Sequence, residues 1–339
     1  MASTGPLPVG VVGCGRMGQL HARVYGQMPQ VRLVGVYDAD ADVAAATCSK
    51  FGGEVFGSVE ALAERVQAIT IAAPTQFHAA VAEPLLRRGV ACLIEKPIAK
   101  DVDDARKIVQ WSKEHNAVVQ VGHIERFNPI VRSMSKVGAL EPRFIEVIRI
   151  SPLTFRSIDV GVVLDVMIHD IDIVLQLARS KVAKIDAVGV SVIGGVEDIC
   201  NARLTFENGC VANMTASRLA LKTERKLRVF SPNAYVSIDY QKKHGVVARK
   251  TENLNAIRDA VAQIRSGEIE DLSQLNFMEL VNVEELTIED DVEPLRAELE
   301  AFVASVTQGA PVAVSAEDGL AAVEVAARIV QAISPQTLS

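Results

Sequence analysis

The sequence predicts an α/β fold: an N-terminal doubly wound parallel sheet, then a C-terminal α+β domain with an open, mainly antiparallel sheet. Three observations support it. Apolar runs alternate with amphipathic helical segments as far as residue 122, the pattern of a parallel sheet covered by helices. From residue 144 to 240, strand-like runs follow one another with few helices between them. The 339 residues exceed one ordinary domain, so we expect domains at 1–122 and 123–339.

A glycine-rich turn separates the first strand from the first helix. The apolar run Val9–Val12 leads into GCGRMG, and a helical segment continues to Met28. Glycines at this spacing allow a tight turn, a close backbone approach to a pyrophosphate and tight packing of helix on strand. The helix N-terminus adds free N–H groups. A dinucleotide is therefore expected to bind this Rossmann-type turn at Gly13, Gly15, Arg16, Met17 and Gly18.

The second strand ends at an acidic residue. Asp38 follows the apolar run Leu33–Val36 and lies about twenty positions after Gly18, where a carboxylate binds the adenosine ribose hydroxyls. A 2′-phosphate would require a cation in this loop, and the neighbouring Ala39 and Asp40 supply none. The sequence therefore predicts NAD, rather than NADP, as the cofactor.

The rest of the first domain repeats the alternation. Helices are predicted at 41–51, 58–65, 76–88 and 101–115, and strands at 68–72, 91–94 and 117–121. Loops after these strands lie at the carboxyl edge of the sheet, where doubly wound folds bind their ligands. The candidate site loops are Pro74–His78, Glu95–Pro97 and Gly122–Pro129.

The second domain has a different order of elements, with successive strands in place of alternating strands and helices. Strands are predicted at 144–150, 187–193, 199–206, 210–217, 226–230 and 235–240, with a hairpin turn at 207–209. Helices at 294–307 and 316–333 close the chain, and 253–282 is predicted to be a flexible excursion.

Composition narrows the class of protein. The net charge of −7 disfavours a nucleic-acid partner. The N-terminus lacks the features of a signal peptide, and no apolar run is long enough for a bilayer span, so we expect a cytoplasmic protein without a membrane partner. The five cysteines have no C-x-x-C pairing and are expected to be reduced, without a metal.

Two segments carry candidate chemistry. Lys96 stands between Glu95 and a proline that allows a cis peptide, although the tripeptide alone favours an ordinary surface lysine. On a predicted helix, Asp165, His169 and Asp172 share one face, with the histidine between carboxylates that can orient it and raise its basicity. The alternatives are a solvated polar face and, as a minority reading, an Asp/His metal pair for which no third ligand is evident.

Six segments in chain order resemble the Gfo/Idh/MocA dehydrogenases: GCGRMG with Asp38, APTQFH, EKP, GHIERFNP, DVMIHDID and EDGLAA. The resemblance covers nearly the whole chain and implies an NAD-dependent dehydrogenase acting on CH–OH groups. It implies that Lys96 is the active-site lysine, His169 the general acid/base and Asp165 its acidic neighbour. The further cofactor contacts that it implies are Pro74, Thr75, His78, Glu95 and Lys96.

Within that family, the segments around residues 122–129, 151–172 and 215–240 look most like the UDP-N-acetylglucosamine 3-dehydrogenases. This narrower resemblance implies oxidation of a sugar secondary hydroxyl at C3, giving a 3-keto sugar nucleotide for a PLP aminotransferase in lipid A or polysaccharide biosynthesis. It also implies a homodimer or homotetramer. The expected substrate-binding residues are Lys96, His123, Arg126, Arg156, Asp165, His169 and Arg218, with Arg149 as a further cation for a diphosphate.

Several alternatives stay open at this point. His123 is ionisable where many family members carry a non-ionisable residue, so either His123 or His169 is a candidate for handling the proton. The substrate could instead be inositol, a free sugar or a UDP-uronic acid. A non-catalytic NAD-sensing regulator is the rival class, and retention of the lysine, aspartate and histidine argues against it.

Overall fold

The structure is a computed structural model that describes residues 5–153, 159–193, 195–250, 262, 265, 266 and 281–337. The flexible excursion predicted at 253–282 lies outside the described residues, apart from three isolated positions and the start of one strand.

Six parallel strands form the first sheet. They are Leu7–Val12 (β1), Val31–Tyr37 (β2), Glu54–Val55 (β3), Ala68–Ile71 (β4), Ala91–Glu95 (β5) and Val119–Gly122 (β6). Their spatial order is β3-β2-β1-β4-β5-β6, the doubly wound order of dinucleotide-binding folds. Every residue of β4, β5 and β6 is buried, as expected for parallel strands covered on both faces.

Helices connect these strands. They are Arg16–Tyr25 (α1), Ala41–Phe51 (α2), Val59–Ala63 (α3), His78–Leu86 (α4) and Val102–Glu114 (α5). Side chains fix three of their starts: Asp40, Ser58 and Asp101 each accept a hydrogen bond from a backbone N–H of the first turn. α1 ends at Tyr25, three residues before the predicted Met28, and Gly26 caps it.

The second sheet has nine strands. They are Phe144–Ile150 (β7), Val182–Ser191 (β8), Ile199–Phe206 (β9), Val211–Ser217 (β10), Glu224–Phe230 (β11), Ala234–Asp239 (β12), His244–Lys250 (β13), Val281–Glu285 (β14) and Ile333–Thr337 (β15). Their order is β14-β13-β12-β11-β7-β10-β9-β8-β15. Two neighbouring pairs, β7 with β10 and β8 with β15, are parallel and the others are antiparallel. The predicted fold class is confirmed.

Three of these strands, β13, β14 and β15, were not predicted. β15 follows directly on the last helix, where the sequence suggested only the end of that helix. The remaining helices are Pro129–Ser133 (α6), Ile168–Ala178 (α7), Pro294–Gln308 (α8) and Ala316–Ala332 (α9). α8 ends where Gly309 takes the left-handed conformation (φ 66°), which is the usual role of a glycine just after a helix.

By its contacts, the chain separates into two compact units. One comprises Met1–Phe127, Val163–Asp172 and Val292–Gln331, and the other Asn128–Val162, Ile173–Asp291 and Ala332–Ser339. The first unit therefore gathers three separate stretches around the parallel sheet. The domain boundary between residues 122 and 123 stays a prediction. Among the described residues, no helix is both long and apolar enough to cross a membrane.

Candidate active site

The turn between β1 and α1 has the shape that a dinucleotide requires. Gly13 takes φ +87°, and a Cβ there would lie 2.5 Å from the backbone nitrogen of Ala73. A Cβ on Gly18 would lie 1.7 Å from the carbonyl oxygen of Gly13, so strand and helix pack at a distance that only glycine permits. A Cβ on Gly15, by contrast, would meet nothing within 4 Å. The turn is thus packed on the sheet side and open at Gly15, as a phosphate cradle must be.

Asp38 is fixed beside this turn by the backbone. Its Oδ2 accepts a hydrogen bond from the Cys14 N–H at 2.6 Å, and its Oδ1 accepts one from the Asp40 N–H at 2.9 Å. The carboxylate is therefore held against the glycine turn at the end of β2, where a ribose diol would meet it. Arg16 is exposed and Met17 half-buried at the start of α1. These features fit NAD.

Two further loops at the carboxyl ends of the strands are joined by His78. Its Nδ1 lies 3.0 Å from the Pro97 carbonyl oxygen, and its Nε2 lies 2.8 Å from that of Ala73. Burial lowers the pKa of His78, and a neutral imidazole donates to only one of these carbonyls at a time. The structure thus gives His78 a bridging position between the loops, with Pro74 exposed and Thr75 half-buried in a 3₁₀ turn.

Lys96 lies at the end of β5 and contacts Asp165. Its Nζ donates to the Asp165 carbonyl oxygen at 2.7 Å and lies 3.4 Å from Oδ1 of the same residue. The peptide bond between Lys96 and Pro97 is cis. The Lys96 side chain is 19% exposed and that of Asp165 is 34% exposed, so the ammonium group remains within reach of a ligand. Both residues belong to the first compact unit.

The segment that carries Asp165 and His169 is not one continuous α-helix, as the sequence suggested. Val163–Met167 forms a π-helical turn, and α7 begins at Ile168. The prediction of one α-helix through Asp165 and His169 is therefore wrong at its first turn, and the shared face of Asp165, His169 and Asp172 stays a prediction. Asp165 contacts Lys96, His169 is half-buried at the start of α7, and Asp172 is fully buried.

Asp172 is paired with Arg126 rather than exposed. The guanidinium binds the carboxylate in two places, Nε to Oδ2 at 2.7 Å and Nη2 to Oδ1 at 2.6 Å. Arg126 also contacts the Ala313 carbonyl oxygen and Asp318. The positive charge of Arg126 is therefore paired within the protein. A role of Arg126 in substrate binding stays a prediction.

Removing one member of this buried pair should destabilise the protein strongly. The Arg126 side chain is 10% exposed and that of Asp172 is 1% exposed, so Arg126→Met leaves a carboxylate in the interior without its partner. We expect the free energy of unfolding to fall by about 3–5 kcal/mol in urea titrations followed by circular dichroism. Arg106→Ala, which breaks the exposed pair with Glu324, is the matched control and should change it by less than about 1 kcal/mol. Equal effects of the two variants would contradict the buried pairing.

His123 is buried next to these charges. Its pKa is lowered by burial, while Asp172 acts in the opposite direction and Arg126 and Lys96 reinforce the lowering. Among the described residues, neither ring nitrogen has a hydrogen-bond partner. His123 is only 1% exposed. A neutral, inaccessible imidazole is less suited to proton exchange with a substrate than the half-buried His169.

Arg149 and Arg218, two of the predicted diphosphate arginines, lie in the second compact unit. Arg218 is buried, and its Nε donates to Asp198 Oδ1 and its Nη1 to the Val160 carbonyl oxygen, each at 2.7 Å. Although burial opposes its ionisation, the N–H groups of Ile193 and Val192 and the Arg218 guanidinium lower the pKa of Asp198. The guanidinium of Arg149 stacks 5.3 Å from the ring centre of Tyr240. Arg156 lies outside the described residues.

Two buried residues beside Glu95 were not predicted from the sequence. His21 on α1 contacts Glu95 at 2.9 Å, and Glu298 on α8 lies close to both. Each interrupts an apolar helical stripe: His21 lies among Gly18, Ala22 and Tyr25, and Glu298 lies among Leu295, Leu299 and Phe302. A titratable side chain on the core face of a helix was the signal available in the sequence.

Comparisons with known proteins agree with this geometry. Residues 7–123 match an oxidoreductase family described as having an NAD-binding Rossmann fold, and residues 153–236 match the GFO/IDH/MocA C-terminal domain. The UDP-N-acetylglucosamine 3-dehydrogenase of Acidithiobacillus ferrooxidans is 38% identical over 231 residues, which are 68% of this chain and 73% of that protein. An inositol 2-dehydrogenase of Rhizobium meliloti is 26% identical over 96% of both chains.

The structure is also similar to a solved one. It superimposes on that of the same Acidithiobacillus dehydrogenase with a TM-score of 0.84, at 30% identity, over 97% of this chain and 98% of the other. Together with the NAD-type glycine turn, these matches establish what the motifs implied: this chain belongs to the Gfo/Idh/MocA family of NAD-binding oxidoreductases.

Proposed function

We propose that this protein oxidises a sugar secondary hydroxyl to a ketone, and that its substrate is UDP-N-acetylglucosamine, oxidised at C3. The contact of the Lys96 ammonium with Asp165, one helical turn before His169, carries the proposal of a reaction site. The choice of substrate is supported by the 38% identical relative, which is named as a UDP-N-acetylglucosamine 3-dehydrogenase.

The proposed chemistry assigns one task to each side chain. NAD, when bound, supplies the oxidant that accepts a hydride from the carbinol carbon. His169 takes the hydroxyl proton as the C–H electron pair leaves and the C=O bond forms. Lys96 has three N–H donors, and its two contacts with Asp165 leave one for the substrate oxygen, where it stabilises developing negative charge. Asp165 thereby positions Lys96, in addition to its predicted role beside His169.

Further parts of the proposal concern the fate of the product, the remaining binding residues, the oligomeric state and the location of the protein. The 3-keto sugar nucleotide is expected to pass to a PLP aminotransferase in lipid A or polysaccharide biosynthesis. Arg149, Arg156 and Arg218 remain candidates for the diphosphate, and Pro74, Thr75, His78 and Glu95 for the cofactor. A homodimer or homotetramer, which light scattering after gel filtration would measure, and a cytoplasmic location also stay predictions.

The test is the absorbance of reduced nicotinamide. NAD and UDP-N-acetylglucosamine are mixed with the protein, together with a 3-keto-sugar aminotransferase and its amino donor, which draw off the ketone. We expect NADH formation with the wild type and none with His169→Ala. UDP-glucuronic acid, a free sugar and myo-inositol serve as parallel substrates.

A cyclitol is the second candidate substrate, because an inositol 2-dehydrogenase matches this chain over 96% of its length. NADH formed from myo-inositol and not from the sugar nucleotide would establish that alternative. Measurable NAD binding with no turnover of any of these substrates would favour the NAD-sensing regulator.

A further inference from the structure

Three titratable side chains meet in the interior directly behind Lys96. They are His21 on α1, Glu95 at the end of β5 and Glu298 on α8, and none is more than 9% exposed. One nitrogen or oxygen atom from each lies within 4.8 Å of those from the other two. Glu95 precedes Lys96 in the chain, and its Oε2 accepts a hydrogen bond from the Lys96 backbone N–H at 3.2 Å.

His21 has a polar neighbour at each of its two ring nitrogens. His21 Nε2 lies 2.9 Å from Glu95 Oε1, its Nδ1 lies 3.4 Å from Thr70 Oγ1, and Thr70 Oγ1 lies 2.9 Å from the Tyr25 hydroxyl. Because His21 Nε2 lies at hydrogen-bond distance from Glu95, its N–H donates to the Glu95 carboxylate.

Glu95 is then the charged member of the cluster. Burial opposes its ionisation, but the hydrogen bond and the charge of His21, followed by the charge of Lys96, hold the pKa of Glu95 below its ordinary value. Its two oxygens accept from two different N–H groups, which an ionised carboxylate does and a neutral acid does less well.

Glu298 cannot also be charged without a cation. Its side chain is fully buried, and neither carboxyl oxygen has a hydrogen-bond partner among the described residues. Burial, together with the charge of Glu95, raises the pKa of Glu298 well above its ordinary value. The titratable groups that face it are Glu95 at the end of β5, and His21 and Tyr25 from α1. Two buried carboxyls this close share one negative charge.

We propose that this cluster is a positioning site for Lys96, in which Glu298 holds a proton and Glu95 holds the charge. The anion on Glu95 fixes the Lys96 backbone through its N–H and places negative charge next to the ammonium group. Because Glu298 is protonated, the two carboxyl groups together carry one negative charge. The positioning role rests on the proposed function of Lys96, whereas the proton on Glu298 does not depend on any substrate.

A divalent cation is the competing occupant, since one imidazole and two carboxylates suit Zn²⁺. Metal binding would require the lone pair of His21 Nε2, the atom that lies at hydrogen-bond distance, 2.9 Å, from Glu95 Oε1. The hydrogen bond between His21 and Glu95 therefore competes with a metal for the same nitrogen.

The proton is tested without substrate. The infrared spectrum of the wild type at neutral pH should show the C=O stretch of a protonated carboxylic acid, shifted in D₂O and absent in Glu298→Gln. The folded protein also retains a proton that the unfolded chain releases above the ordinary glutamic-acid pKa of 4.5. The folding constant of the wild type, relative to Glu298→Gln, should therefore fall by up to about tenfold per pH unit above that value.

Two outcomes would contradict the proposed proton on Glu298. Absence of the infrared band, with a metal ion bound stoichiometrically to the purified wild type and lost in Glu298→Gln, would replace the proton by a metal site. Absence of both the band and the metal would overturn the proposal as well. If Glu298→Gln does not fold, the infrared titration of the wild type alone still decides whether a protonated carboxyl is present.

The positioning role is tested by kinetics. A Gln at position 95 accepts from only one of the two N–H groups, so Glu95→Gln should lower kcat by up to about 100-fold, and by a larger factor than it lowers NAD affinity. His21→Leu should give a similar loss, and His21→Gln, which keeps an N–H donor, should recover part of it. Glu83→Gln, at an exposed glutamate of α4, is the control for removal of a charge. Losses of NAD affinity and stability in Glu95→Gln that match its loss of kcat would show that the cluster has only a structural role.

Discussion

Lys96→Met should reduce turnover by about 100- to 1000-fold, the usual effect of removing one donor that stabilises developing charge on oxygen. Methionine keeps an apolar stem of similar length and removes the ammonium group that contacts Asp165. The glycine turn and Asp38 are untouched, so the dissociation constant of NAD, measured by quenching of Trp111 fluorescence or by calorimetry, should stay at the wild-type value.

Lys96→Arg is the matched control, because it keeps the positive charge and changes its geometry. A planar guanidinium cannot reproduce the contacts of an ammonium with the Asp165 carbonyl and carboxylate, so partial activity is expected. Loss of NAD affinity in step with kcat in both variants would show that Lys96 acts in cofactor binding rather than in the chemical step.

His169→Ala should lower kcat by about 100- to 10,000-fold, which is the range for a positioned general base. An imidazole accepts a proton only in its neutral form, so wild-type turnover should fall toward acid pH. The alanine variant should lose this dependence, whereas its NAD affinity should be retained. Initial rates of NADH formation across the pH range measure both effects.

His123→Asn separates the two histidines. His123 is fully buried, with its pKa lowered by burial, and is expected to be neutral throughout the working range. Its replacement should therefore leave the acid limb of the pH profile in place, whatever its effect on the rate. If the acid limb disappears in His123→Asn and persists in His169→Ala, the base is His123 and the assignment is reversed.

The residues nearest each other in the chain were the ones that the sequence placed correctly. The glycine turn is encoded by backbone freedom, and the predicted helices at 58–65 and 101–115 begin beside Ser58 and Asp101, whose side chains accept hydrogen bonds from the next turn. The alternation of buried strands and amphipathic helices fixed the parallel sheet. The motifs EKP and DVMIHDID, which carry Lys96 and His169, could be recognised because each combines several residue types at a fixed spacing.

Long-range pairing could not be predicted in the same way. Arg126 and Asp172 are 46 positions apart in the chain, and their bidentate ion pair depends on burial that neither segment specifies by itself. The helix predicted at 316–333 includes only the first residue of β15, and the strand itself is not predicted because its partner, β8, lies far away in the sequence. The π turn at Val163–Met167 likewise has no periodic signature in so short a segment.

The sequence by itself therefore determined the family and the cofactor, since these depend on residue type and local spacing, and the reactive side chains that it indicates stay a prediction. Only the tertiary structure decided which charges are neutralised. In the folded protein Lys96 contacts Asp165, Arg126 pairs with Asp172, and Glu95 is hydrogen-bonded to His21. Charge pairing depends on distance and on removal from water, and both are set by how β5, α1, α7 and α8 pack in three dimensions.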